Sequence, residues 1–89
     1  MIAVTRTEAD IWEVSVDGPP STRHRVRLSD DVWRRVTDGR VTREALIMES
    51  FRFLLEREPN TSILESFDLE VIGKYFPEWE DAMQSWVDW

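Results

Sequence analysis

The sequence predicts a single α+β domain spanning residues 1–89. It divides into an N-terminal antiparallel β-hairpin or ribbon over 1–28, a helix-turn-helix pair over 29–58 and short C-terminal helices over 59–89, three to four helices in all. Three observations point there. Apolar and polar residues alternate with a period of two as far as Leu28. From Ser29 onward the spacing becomes helical, with capping residues at each restart. The chain has 89 residues, 42% of them hydrophobic, which supports one thin core and excludes disorder.

The strands come first. In Ile11–Val16, Trp12, Val14 and Val16 fall on one face and Glu13 and Ser15 on the other, the pattern of a half-buried strand. Ile2 to Thr5 is also β-prone, and a turn near Glu8 to Asp10 would let it pair with Ile11–Val16. Asp17-Gly18-Pro19-Pro20-Ser21-Thr22 reads as a loop. Alternation resumes from His24 to Leu28, with Val26 and Leu28 on one side and Arg23, Arg25 and Arg27 on the other. His24 shares the face of Val26, which marks it as a partly buried structural histidine.

The helices follow. Ser29 is a good N-cap, and Asp30 and Asp31 suit the positive end of a helix dipole. Val32, Trp33 and Val36 form a short stripe, and Gly39 ends it. Thr42 caps a longer helix over 43–57, where Leu46, Ile47, Ser50, Phe51, Leu54 and Leu55 share one face. Ala45, Met48 and Phe53 widen that face, so this helix should touch two layers or a partner subunit. Pro59 stops it. Ser62-Ile63-Leu64-Glu65 fits a capping box, and Asp68 is placed to cap a short turn over Leu69 to Tyr75. Pro77 opens a terminal helix with Trp79, Ala82, Met83, Trp86 and Val87 on one face and Glu78, Glu80 and Asp81 in its first turn.

The net charge is −7, which argues against nucleic-acid binding by the whole surface. The charge is unevenly spread, however. Residues 1–22 carry −3, residues 23–43 carry +4 from seven arginines against Asp30, Asp31 and Asp38, and residues 44–89 carry −8. A basic segment inside an acidic chain marks a candidate interaction surface. The alternative is that acids and bases pair within the fold, leaving Arg23, Arg25 and Arg27 as a solvated edge.

Several chemistries are excluded or unsupported. The absence of Cys excludes disulfides, thiolate–zinc sites and cysteine nucleophiles, and a lone His excludes His-pair metal motifs. Three glycines in no phosphate-loop pattern give no nucleotide cradle. Acidic pairs such as Glu56 and Glu58 read as a solvated helix surface. No catalytic residue, cofactor or metal is therefore expected, and the protein is not expected to be an enzyme. No apolar run approaches a membrane span and no signal-peptide pattern opens the chain, so a cytoplasmic location without membrane partners is expected.

The strand–helix–helix stretch from His24 to Glu58, with Leu28-Ser29-Asp30 entering the first helix and Thr42-Arg43-Glu44-Ala45-Leu46-Ile47 opening the second, resembles the ribbon-helix-helix family of bacterial DNA-binding regulators and antitoxins. The resemblance implies a homodimer in which two such strands form an antiparallel ribbon for the major groove. It implies that Arg23, Arg25 and Arg27 read bases, and that the helix start at Thr42 and Arg43 holds a phosphate. It also implies a dimer core on the 43–57 helix. The first helix is shorter than the family usually shows, and a strand precedes the ribbon strand. Phe51 to Glu80 is in addition similar to a set of small bacterial proteins, which implies a compact bacterial domain and adds no chemistry.

Two functions follow as expectations. One is a dimeric ribbon-helix-helix-like DNA-binding regulator or antitoxin, whose acidic C-terminal half could bind a basic protein partner. The other is an acidic protein-interaction or self-assembling module without DNA binding. In either, Leu46, Ile47, Phe51, Leu54, Trp79 and Trp86 are the candidate interface residues.

Overall fold

Alternation places the strands close to where the sequence predicts them. The computed structural model describes residues 1–89. It contains β1 (Ile2–Glu8), β2 (Ile11–Val16) and β3 (Thr22–Arg27), joined as an antiparallel meander. The register pairs Val4 with Val14 and Val14 with His24, so the apolar positions of all three strands share one face. A bulge interrupts β1 between Arg6 and Glu8. A fourth strand, β4 (Ser66–Asp68), runs parallel to β3, with Arg25 beside Ser66. The sheet order is β1-β2-β3-β4.

This sheet corrects the expected hairpin or ribbon. The strand that begins at Thr22 is interior: β2 occupies one edge and β4 the other. Its backbone groups point alternately to these two neighbours, as the bond from Arg25 N–H to the Glu65 carbonyl (2.8 Å) shows on the β4 side. Neither side of β3 is left over for a second chain.

Four helices complete the fold. Helix α1 (Asp30–Thr37) starts where Ser29 Oγ accepts the Val32 N–H. It ends on two left-handed residues, Asp38 (φ 55°) and Gly39 (φ 71°), the kind of turn that Gly and Asp tolerate. Helix α2 (Arg43–Leu55) starts where Thr42 Oγ1 accepts the Ala45 N–H at 3.0 Å. It stops two residues before the predicted end. The Ser62–Glu65 capping box is not used. Asn60–Ser62 forms one 3₁₀ turn, and Ile63 is extended and leads into β4. Leu69–Val71 is a second 3₁₀ turn without a side-chain bond from Asp68, and α3 (Ile72–Tyr75) is a single turn. Helix α4 (Trp79–Val87) follows the predicted stripe, with Trp79 and Met83 buried. No helix is long and apolar enough to cross a membrane.

The core explains the breadth of α2. One side packs on the sheet, while Ser50 faces α4 and accepts the Trp79 indole N–H at 3.1 Å. Leu46, Ile47, Phe51, Leu54 and Trp79 are all buried in the chain's own core. They are therefore core residues, a correction to their expected role as an interface. Two layers of the same chain consume the apolar circumference of α2. Only Trp86 of that set keeps partial exposure. No buried side-chain nitrogen or oxygen lacks a hydrogen-bond partner.

Candidate functional site

Arg23, Arg25 and Arg27 project from the uncovered face of the sheet, as alternation requires. They do not form a bare basic stripe. Arg25 pairs with Glu8 at 3.5 Å and lies opposite Glu13. Arg27 pairs with Asp10 at 2.9 Å and approaches Asp68 at 3.9 Å. Arg23 makes no ion pair, but it shares its hollow with Glu8, Glu13 and Glu65. The face is thus a mixed-charge lattice with acids on both sides of the arginines.

The start of α2 lies elsewhere. Thr42 is committed to capping. Arg43 pairs with Asp30 at 2.9 Å and stacks over the Trp33 ring at 3.9 Å. Arg27 and Arg43 do line one open groove together with Arg6, but Asp10, Asp30 and Asp31 line it too. Arg23 and Arg25 are not part of that groove. Next to it, the buried Trp12 donates its indole N–H to Glu44 Oε2 at 2.8 Å. That hydrogen bond, with help from the Arg6 and Arg43 charges, holds the Glu44 carboxyl below its ordinary range despite partial desolvation.

The pocket lined mostly by apolar side chains is at the other end of the sheet. A groove of about 310 Å³ opens between the end of α2, the Ser62–Leu64 segment, β4 and α3. Its walls are Leu54, Ile63, Phe67, Val71, Ile72 and Phe76. Leu64 and Tyr75 form its lips and are 46% and 67% exposed, two of the four large apolar side chains exposed on the protein. Glu58 and Ser62 are its polar lining, and Glu58 makes no ion pair.

A partly buried polar relay sets the position of the Leu64 lip. Asn60 Nδ2 donates to the Pro20 carbonyl (2.9 Å) and to Thr22 Oγ1 (3.0 Å). Thr22 Oγ1 lies 2.9 Å from His24 Nε2, and His24 Nδ1 lies 2.7 Å from the Leu64 carbonyl. A carbonyl only accepts, so Nδ1 donates its hydrogen to it. The ring also packs on Phe51, 5.4 Å between centroids. His24 is thus the structural histidine expected from the strand pattern. It ties β3 to the segment that forms the groove's lip.

These features define the protein as an α+β domain with a charge-latticed sheet face and an apolar groove at the β4 end. Comparison with protein-family models, with curated proteins and with solved structures gives no match. The groove was not foreseen from sequence. Its residues come from four separate segments, and the one available signal was that Leu64 and Tyr75 fit no helical stripe.

Proposed function

We propose that the protein is an acidic protein-interaction module that holds an apolar anchor of a basic partner segment in the Leu54–Phe76 groove. The observation that carries this reading is the groove itself, apolar inside with Leu64 and Tyr75 exposed at its mouth. Apolar side chains left at a concave mouth are what a partner's anchor residue covers. The charge favours a basic partner. Residues 54–80 carry seven acids against Arg57 and Lys74, and the unpaired Glu58 sits in the wall. A lysine or arginine beside the anchor would complement Glu58, and the acidic surround would steer its approach.

The competing proposal keeps a DNA-binding regulator or antitoxin but not the ribbon-helix-helix dimer, because β3 is interior to the sheet and its arginines would meet DNA from the sheet face. Its support is Arg23, exposed and outside every ion pair, at the end of an arginine row. Phosphate contacts along that row would have to displace the acids already paired with Arg25 and Arg27.

One NMR titration separates the two. The probes are a short Leu/Lys peptide, the matching Leu/Glu peptide and a mixed-sequence DNA duplex at low salt. The interaction reading expects the Leu/Lys peptide alone to shift the amides of Leu64, Phe67 and Tyr75, with Leu64→Glu abolishing the shifts. Equal response to both peptides, or no response at the groove, overturns it. Shifts at Arg23, Arg25 and Arg27 with the duplex, weakening steeply with salt, would establish the DNA reading instead.

A further inference from the structure

The two edges of the sheet are built differently. At one end β4 is three residues long and is flanked by Glu65 and Glu70, so acids and shortness blunt it. At the other end β1 runs for seven residues with no Pro and no Lys, and carries no charge from Ile2 to Thr5. The bond from Asp17 N–H to the Met1 carbonyl (3.0 Å) fixes which β1 residues face β2. In an antiparallel ladder the odd residues, Ala3 and Thr5, then bond inward to β2, while Ile2, Val4 and Arg6 turn their N–H and C=O groups outward. No backbone bond outside the regular sheet and helices uses those outward groups.

The one charged side chain in this row, that of Arg6, is drawn away from it. The Arg6 guanidinium hydrogen-bonds to the Ala9 carbonyl and lies 4.9 Å over the Trp12 ring. What remains is a neutral, β-prone, unpaired edge on a chain of net charge −7. Two acidic copies repel over most of their surfaces, and this strip is where they can meet without facing acids. An antiparallel strand pair is also self-complementary about a two-fold axis, as a closed dimer requires.

We propose that two copies of the chain join through β1, antiparallel about Val4, to make one continuous eight-stranded sheet. Ile2 pairs with Arg6 of the second copy, and the two Val4 residues meet at the axis. The half-buried Ile2 and Val4 side chains gain apolar cover on the inner face. The outer face is left to the small residues Ala3 and Thr5. This interface does not use the groove, which lies at the opposite sheet edge. Its failure therefore leaves the groove reading standing, and the reverse.

The test reads individual amides and then charge. In hydrogen exchange followed by NMR, Ala3 and Thr5 should be protected at every concentration. Val4 and Arg6 should exchange quickly when dilute and gain protection as concentration rises, in step with mass from sedimentation. The exposed pair Ala3→Glu/Thr5→Glu should weaken the dimer roughly tenfold or more, because like charges then face each other across the pairing. Mixing it with Ala3→Lys/Thr5→Lys should restore a heterodimer. Concentration-independent exchange at Val4 and Arg6 overturns the proposal, as does a dimer indifferent to both charge variants.

Discussion

The two faces of the sheet are built from alternate residues of the same strands, yet they hold the molecule together by different means. On the inner face Trp12, Val14, Val26 and their neighbours are sealed under α2 and the rest of the helical layer. On the outer face Glu13, Arg23, Arg25 and Arg27 stand in water, and Arg25 and Arg27 meet acids at ion-pair distances. Burial of apolar area contributes kilocalories per side chain, whereas an exposed ion pair contributes about 0–1 kcal/mol. So the arginines that stand out in the sequence carry little of the stability. The inner residues, unremarked by charge, carry most of it. The basic segment is chiefly counter-charge for acids of its own chain.

The largest expected break in that contrast is at Phe51. It is fully buried between His24 (5.4 Å) and Phe67 (6.1 Å, ring centroids). Phe51→Ala is expected to cost about 3–5 kcal/mol in urea unfolding, a large share of a small domain's stability. Phe51→Asp is expected to leave no cooperative transition. A cost for Phe51→Ala under about 1 kcal/mol would mean that the inner face is not the principal support.

Ser50 is expected to come next and sharpens the contrast, since it is polar yet belongs to the core. Its hydroxyl accepts the indole N–H of Trp79 in the α2–α4 seam. Ser50→Ala strands that buried donor and is expected to cost about 1–3 kcal/mol. Thermal unfolding with near-ultraviolet dichroism of Trp79 checks it. The polar group matters here because water cannot replace the lost partner, unlike on the outer face.

The same distinction explains what could be read from the sequence. Trp12–Val16, Val26 and the stripes of α2 and α4 were legible because repeated alternation records which side is dry. The caps at Ser29 and Thr42 were legible because a hydroxyl before an acidic or helical run has one obvious use. Strand β4 was not legible. Ser66-Phe67-Asp68 is too short to show a period, and its place depends on a parallel pairing with β3 about forty residues away in sequence. The nearby Ser62-x-x-Glu65 pattern met every local rule for a helix start. It lost to the tertiary pull that buries Ile63 and ties the Leu64 carbonyl to His24. The groove depends on both of these placements, so no local pattern could announce it.

Glu44 stands at the boundary between the faces and gives a smaller, pH-dependent effect. Its carboxyl is held below the ordinary value of 4.5, first by the Trp12 indole hydrogen bond and then by Arg6 and Arg43. A carboxyl lowered in the folded state binds fewer protons than in the unfolded state. Its contribution is therefore complete above the unfolded value and is lost as pH falls through the folded one. The expected result is that wild type loses stability on acidification below pH 4.5 more steeply than Glu44→Gln. Parallel pH profiles for the two would remove Glu44 from the account.

The smallest expected effect is at Arg25, and it tests the outer face most directly. Arg25 and Glu8 are 3.5 Å apart and both largely exposed, while Glu13 lies directly opposite Arg25 across the strands. The double-mutant coupling between Arg25→Ala and Glu8→Ala is expected to be at most about 0.5 kcal/mol. Arg25→Ala alone should cost slightly more than that coupling, because Glu13 and Glu8 then face each other with nothing between them. High salt should erase the difference, since screening acts on exposed charges and not on the buried layer beneath. A coupling that persisted in salt would mean that the arginine row is held in a fixed, water-poor geometry. The outer face would then resemble a built binding surface more than a screened lattice.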